Sequence, residues 1–181
     1  MAGFIKRNGN VRELLVYKIA LRISVITEIF VNRFVNAKSR TVDQMQQAAR
    51  SCKQNIVEGS EAAATSKETE IKLTNVARAS LGELLEDYLD FIRFNNLKRW
   101  EKGNPRLERL RAYIKTDDFE NDYANLCQRL PPEELCNLAI TLIMQCQFLL
   151  DRLLKAQEDR FLAEGGIREA MSKARREIRK F

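Results

Sequence analysis

Hydrophobic residues along this chain recur at steps of three and four, the spacing of one face of an α-helix. The first such run predicts a helix over residues 11–36. Its core-facing row consists of Leu15, Ile19, Ile23, Ile26, Phe30 and Phe34. A second apolar row consists of Leu14, Leu21, Val25 and Ile29. The two rows together are broader than one antiparallel neighbour needs, so we expect another subunit to cover part of this face.

Local start and stop signals divide the rest of the chain into three more long helices. Capping-box spacings at residues 41–44 and 65–68 predict the starts of the second and third helices. The third helix should end before the Gly-Asn-Pro of residues 103–105, and the fourth should begin at the Pro-Pro-Glu-Glu of residues 131–134. The Gly-Gly pair of residues 165–166 predicts where the fourth helix stops.

Four amphipathic helices of similar length, two pairs of them joined by short connections, predict an all-α fold, an up-down antiparallel four-helix bundle. We assign the bundle to residues 1–164, with an irregular insertion at about 104–130 between the third and fourth helices. Within the insertion, residues 105–115 are a candidate short helix. Residues 165–181 then form a basic C-terminal extension with helical propensity.

Histidine is absent from all 181 residues, which removes Ser-His and Cys-His nucleophile pairs and histidine metal ligands together. Four carboxylates share one face of the predicted third helix: Glu83, Glu86, Asp87 and Asp90. Di-metal sites in bundles also use carboxylates, but they need Glu-x-x-His partners, so we interpret this set as a solvated or intersubunit acidic stripe. We therefore expect no enzymatic activity, no catalytic residue, no metal and no cofactor.

The cysteines and the hydropathy pattern indicate a cytoplasmic protein. None of the four cysteines stands in a Cys-x-x-Cys pair, and we expect them to be reduced and to act as small hydrophobic residues: Cys52, Cys127, Cys136 and Cys146. The first ten residues lack the apolar core of a signal peptide. The apolar stretch 14–35 is interrupted by charges, so we expect no membrane partner.

Charge is concentrated at the two ends of the chain. The net charge is +6 overall, with +6 on residues 1–40, −4 on residues 41–159 and +4 on residues 160–181. The C-terminal cations are the predicted nucleic-acid-binding residues: Arg168, Lys173, Arg175, Arg176, Arg179 and Lys180. On a helix most of them cluster at three- to four-residue steps. Such a cationic face can bind the phosphates of nucleic acid, but it does not recognise particular bases. The alternative is a solvated basic tail without a partner.

Residues 48–84 read AARSCKQNIVEGSEAAATSKETEIKLTNVARASLGEL. This segment resembles the signature of a bacterial four-helix bundle family, the ribosomal RNA intervening-sequence proteins. The matching residues of its central part are Arg50, Ser51, Asn55, Ile56, Glu58, Gly59, Ser66, Lys67 and Glu68. The match continues at Ser80, Leu81, Glu83 and Leu84. The run Glu-Gly-Gly-Ile-Arg-Glu of residues 164–169 is similar to a C-terminal suffix found on one branch of that family.

The resemblance implies a homo-oligomer, a ring-like pentamer of four-helix bundles. It also implies RNA or DNA as a partner, because the accessory variability determinant branch of the family binds nucleic acid together with a reverse transcriptase. Most members of the family have no assigned activity.

A structural role explains the signature residues from their own chemistry. A glycine inside a helix costs about 1 kcal/mol, so Gly59 indicates a kink or a close approach of backbones. Asn55 lies one turn earlier and would bind a carbonyl freed by the kink, while Glu58 and Lys67 would pair across it. The remaining signature residues in this set are Arg50 and Glu68. A thin surface for close packing on the third helix is expected at Ala79, Ser80 and Gly82.

Two functions follow from these patterns. The first is a non-enzymatic homo-oligomeric bundle that acts as a nucleic-acid-associated scaffold and binds the phosphate backbone through its basic termini. In that case affinity should fall steeply with salt, and removal of the residues after Gly166 should abolish most of it. The alternative is a protein–protein interaction adaptor that binds no nucleic acid, with the ends or the insertion engaging a partner.

Overall fold

The computed structural model describes residues 10–178, and for residues 168, 170, 173, 174, 177 and 178 it describes the backbone only. Over this range the chain is all-α, as predicted, and contains no strand. A short 3₁₀ turn, Val11–Glu13, precedes seven α-helices. The helices are α1 Leu15–Phe34, α2 Arg40–Ala62, α3 Lys67–Phe94, α4 Pro105–Tyr113, α5 Asp117–Cys127, α6 Pro132–Glu164 and α7 Ile167–Ile178.

Serine hydroxyls begin α2 and α3, rather than the threonines of the predicted capping boxes. The Ser39 side chain accepts a hydrogen bond from the Thr41 amide at 3.2 Å. The Ser66 side chain accepts one from the Thr69 amide, also at 3.2 Å. Each serine stands directly before the first helical residue, in extended backbone, where its oxygen reaches the unpaired amides of the first turn.

The four long predicted helices correspond to α1, α2, α3 and α6, and their apolar faces enclose the core. α2 packs against α1 and α3, and α6 packs against the same two helices. At the centre the fully buried Tyr88 stacks on Phe30, with ring centroids 4.8 Å apart, and its hydroxyl donates to Thr27 at 3.1 Å. Leu15 was expected in this core, but 52% of its surface is exposed, because the buried face of α1 passes through Val16 and Ile19 instead.

The insertion between α3 and α6, expected to be irregular, contains the short helices α4 and α5. Asn104 caps α4 just before Pro105, and Thr116 caps α5 just before two aspartates that favour its N-terminus. The buried Phe119 of α5 contacts the rings of Tyr113 and Tyr123, and α4 packs against α6. The short helix expected within residues 105–115 is confirmed by α4. α5 was not predicted, because its two buried residues, Phe119 and Cys127, are too few to form a visible apolar period.

α6 begins and ends where its proline and glycine signals predicted. By length and composition it is the one helix in residues 10–178 that could cross a membrane, and 56% of its most apolar window is buried against the rest of the protein. The core helix of a soluble protein meets the same test. Gly165 terminates the helix with φ +69°, a conformation that residues with a side chain rarely adopt.

Candidate functional site

The predicted C-terminal basic face lies on α7, directly after α6. The Gly166 amide donates to the Glu169 carboxylate at 3.0 Å and so starts the new helix. Arg175 and Arg176 are exposed to solvent. Arg168 and Lys173 lie on the same helix, while Arg179 and Lys180 lie outside the described residues. At least two of the six predicted cations are therefore accessible to an anionic partner.

The signature residues of α2 lie on different sides of the helix. Arg50 and Glu58 are exposed. The Asn55 side chain donates to the Ser51 carbonyl at 2.8 Å, one turn before Asn55, and not to a carbonyl freed by a kink at Gly59 as expected. α2 runs through Gly59 without a break, and the amide of Ala63 donates to the Gly59 carbonyl at 3.0 Å.

Gly59 marks a close approach of α2 to α3. A Cβ atom at this position would lie 3.4 Å from Leu73 Cβ and 3.5 Å from the Glu70 carbonyl oxygen. Further along the same pair of helices the hydroxyls of Ser51 and Ser80 are 2.9 Å apart. The thin surface predicted on α3 is therefore used at Ser80. It is not used at Gly82, because nothing lies within 4 Å of a Cβ placed there.

Lys67 and Glu68 join the signature to the Gly-Gly motif at the end of α6. Lys67 Nζ donates to Glu164 Oε2 at 2.7 Å and to the Gly165 carbonyl at 3.0 Å, so the predicted pair with Glu58 is wrong. A Cβ at Gly166 would lie 2.6 Å from Glu68 Oε1. Two sequence motifs almost 100 residues apart therefore meet at one end of the molecule.

A buried polar cluster, absent from the sequence predictions, lies one turn deeper between α3 and α6. Gln157 Nε2 donates to Glu70 Oε1 and to Thr74 Oγ1, both at 3.1 Å, and Arg160 forms an ion pair with Glu70. Burial raises the pKa of Glu70 above its ordinary value, although Arg160, Gln157 and Lys67 oppose the shift. The sequence pattern does indicate this cluster, because the polar residues at positions 70 and 74 continue the apolar row of α3 at helical spacing and should therefore be buried.

The acidic stripe of α3 is mainly a solvent-facing feature. Glu83 and Glu86 are exposed, and Arg93 binds Asp90 at 2.6 Å. Burial and the carboxylates of Asp90 and Glu83 raise the pKa of Asp87. Within residues 10–178 no three cysteine or acidic side chains are grouped as a metal site would need.

The cysteine thiols are free and buried, as expected for small core residues. Burial raises the pKa of Cys136 to about 12, and it also raises that of Cys127 to about 12 against the opposing field of Arg33. Cys52 also has a raised pKa, because its thiol is hydrogen-bonded to Cys146 in the core. Thiols held protonated in this way are poor nucleophiles.

A second basic surface surrounds α4, and sequence reasoning missed it. Residues 98–115 carry seven basic and two acidic side chains, a net charge of +5. The net charge of −4 over residues 41–159 concealed this basic segment, because the segments on either side of it are acidic. The segment borders a cleft of about 590 Å³ against α6, which holds both cationic and apolar side chains.

These features give two candidate interfaces: the exposed arginines of α7, and the cleft between α4 and α6. Neither contains a histidine or an exposed cysteine, since the chain has no histidine and its thiols are buried. No family model, curated protein or solved structure matches this chain.

Proposed function

We propose that this protein is a non-enzymatic, homo-oligomeric four-helix bundle that binds the phosphate backbone of nucleic acid through its basic termini. The observation that carries the proposal is α7, a helix set apart by Gly-Gly that exposes Arg175 and Arg176 and leads into Arg179 and Lys180. Long cationic side chains free in solvent neutralise phosphates without any base contact, and they release counterions when they do so.

Helix directions support an up-down bundle of α1, α2, α3 and α6. Along the α3–α6 pair, Lys67 binds Glu164 and Arg78 binds Asp151, so the two helices run in opposite directions. The α2–α3 pair is also antiparallel. Gly59 lies against Glu70, and Ser51, which is earlier in α2, lies against Ser80, which is later in α3. Side chains of antiparallel helices interdigitate along their whole length, which suits a rigid scaffold.

Salt dependence tests nucleic-acid binding. The probe is a fluorescent duplex RNA, with a duplex DNA of the same sequence beside it, titrated with the full-length protein at low and at physiological salt. We expect affinity to fall steeply with salt. Failure of the full-length protein to bind either duplex at low salt would overturn the proposal.

A matched pair of variants assigns the binding to α7. Arg175→Gln with Arg176→Gln should reduce the slope of log affinity against log salt by about two, one for each lost phosphate contact. The control is Lys72→Gln with Lys155→Gln, two exposed cations outside α7, and its slope should equal that of the parent. Equal loss in both variants would show that total charge, and not α7, drives binding.

Exposed leucines on and before α1 support the homo-oligomer. The exposed fractions of Leu14, Leu15 and Leu21 are 43%, 52% and 37%, while Ile29 of the same predicted apolar surface is buried within the protomer. A second subunit would remove these leucines from water. Light scattering at micromolar concentration should give a mass well above 21.0 kDa, and a 21.0 kDa particle would overturn this part of the proposal.

Membership of the ribosomal RNA intervening-sequence family, with its pentameric assembly, is part of the same proposal, as is a cytoplasmic location. The meeting of Lys67 with Glu164 and Gly165 supports it, because the signature and the suffix motif then act as one structural unit. The cleft beside α4 favours the alternative, an adaptor for a partner protein.

A further inference from the structure

The cleft between α4 and α6 is a groove with an apolar floor. Its volume of about 590 Å³ lies within the range of built binding sites, about 300–1,000 Å³. Aliphatic and aromatic side chains from both helices form the floor: Leu107, Ile114, Ile140, Met144 and Phe148. Met144 is 47% exposed and Phe148 is 60% exposed, so this part of α6 leaves apolar surface in water.

The rim of the groove is positively charged. Glu101 is the one carboxylate that lines it. Four cations line it as well: Arg99, Lys102, Arg111 and Lys115. Arg111 pairs with Glu108 at 3.3 Å, whereas Arg99, Lys102 and Lys115 make no ion pair with any other residue in the described range. A ligand that offers carboxylates around an apolar stripe would complement both the rim and the floor.

One wall of the groove is held rigidly. The side chain of Asn137, 2% exposed, accepts a hydrogen bond from the Trp100 amide at 2.7 Å. It also donates to the Lys98 carbonyl at 2.9 Å and to the Glu133 carbonyl at 2.8 Å. The chain from Lys98 to Trp100 is thereby fixed to α6 before any ligand arrives, which lowers the entropic cost of binding.

The floor is unsuited to stacking of nucleic-acid bases. Bases stack on flat, open aromatic faces, whereas most of this floor is aliphatic. The indole of Trp100 already has partners at one edge and one face, because its Nε1 donates to Glu133 at 3.1 Å and the Arg106 guanidinium lies over the ring, 5.7 Å from its centroid. A groove between two helices instead accepts the apolar anchors of a third helix.

We infer that the groove between α4 and α6 is a docking site for an acidic amphipathic helix of a partner protein. Leucine or phenylalanine side chains at helical spacing would enter between Ile140, Met144 and Phe148. Flanking glutamates would meet Arg99, Lys102 and Lys115. This inference is independent of nucleic-acid binding by α7 and uses a different surface.

Trp100 reports on the groove directly, because it is the one tryptophan in the sequence and lines the cleft. The probe is a synthetic peptide of ~18 residues, about five helical turns, with leucine at i, i+3, i+4 and i+7, glutamate only at positions that flank this stripe, and alanine elsewhere to favour the helix. Its control has the same composition in an order that breaks the leucine stripe. We expect a saturable change in Trp100 emission with the first peptide and at least tenfold weaker binding of the second. Equal affinity for both peptides, or no binding of either, would overturn the inference.

Matched variants separate the groove from the rest of the surface. Phe148→Ala should weaken peptide binding at least tenfold, while Phe94→Ala, on an 81% exposed phenylalanine outside the cleft, should leave it unchanged. Lys102→Glu with Lys115→Glu should abolish binding, and Lys72→Glu with Lys155→Glu should not. Equal effects within either pair would contradict a specific groove.

Two further measurements identify other occupants and would also overturn the inference. The first is a single-stranded oligonucleotide that changes Trp100 emission and loses affinity in Phe148→Ala. The second is concentration-dependent self-association that Phe148→Ala abolishes, which would make a second copy of the chain the occupant. Arg175→Gln with Arg176→Gln should leave peptide affinity unchanged, so failure of the α7 proposal and failure of this one are distinguishable.

Discussion

The two ends of α6 are both anchored by polar side chains, but the anchors differ in how completely their hydrogen bonds are made. At the N-terminal end the Asn137 amide uses its oxygen and both amide hydrogens on three backbone groups. At the C-terminal end Gln157 donates to Glu70 and Thr74, while Gln157 Oε1 and Arg160 Nε are buried without a partner among residues 10–178. A complete set of hydrogen bonds rigidifies a junction, whereas an incomplete one leaves buried groups unpaired.

Two glutamates show the same contrast in their pKa values. The Lys98 amide and the Trp100 indole donate to Glu133, each at 3.1 Å, and these bonds lower the pKa of Glu133. Burial raises the pKa of Glu70, and its cationic neighbours offset this only in part. The first junction therefore stabilises the charge of its carboxylate, and the second does not.

The largest effect is expected for Asn137→Ala. The substitution leaves the Trp100 amide and the Lys98 carbonyl without their partner, and we expect it to lower the free energy of unfolding by about 3 kcal/mol. Urea unfolding measures the loss, and Trp100 emission should shift in the folded variant. The control is Asn125→Ala, which removes one exposed hydrogen bond to Asp122 and should cost no more than about 0.5 kcal/mol. Similar losses in the two variants would contradict a special role for Asn137.

A smaller effect is expected from pH, which should change the stabilising contributions of Glu133 and Glu70 in opposite directions. A depressed pKa in the folded state means that Glu133 contributes stability above the ordinary value of 4.5, and that this contribution is lost as pH falls through the folded pKa. The raised pKa of Glu70 means that its contribution is complete below 4.5 and is lost as pH rises through the folded pKa. The free energy of unfolding of the parent minus that of Glu133→Gln should therefore increase as pH rises from about 3 to about 7. The free energy of unfolding of the parent minus that of Glu70→Gln should decrease over the same range. Parallel curves would show that the junctions do not differ.

The smallest effect is expected at the close approach beside the C-terminal junction. Replacing glycine by alanine in an open helix stabilises it by about 1 kcal/mol. Gly82→Ala should show this gain, because a Cβ there meets nothing within 4 Å. Gly59→Ala should gain less, because its Cβ would touch Leu73 at 3.4 Å. Thermal unfolding of both variants measures the difference, and equal gains would mean that α2 and α3 are not tightly packed at Gly59.

Local patterns determined where the four long helices lie and where α6 begins and ends. Apolar periodicity placed α1, α2, α3 and α6, and the proline and glycine signals placed both ends of α6, because these preferences act within a few residues. The absence of histidine and the cations of α7 are likewise properties of the sequence itself. The short helix α4 was foreseen within residues 105–115, whereas α5 was not predicted, because it buries too few residues to show a period.

Tertiary structure alone decided which distant residues meet. Lys67 was expected to bind Glu58, but it binds Glu164, 97 positions away, because antiparallel packing brings the start of α3 to the end of α6. The groove beside α4 and the cluster around Glu70 arise in the same way, from faces of separate helices whose contact no local pattern encodes. Helix formation depends on neighbours in sequence, whereas burial, pKa shifts and grooves depend on neighbours in space.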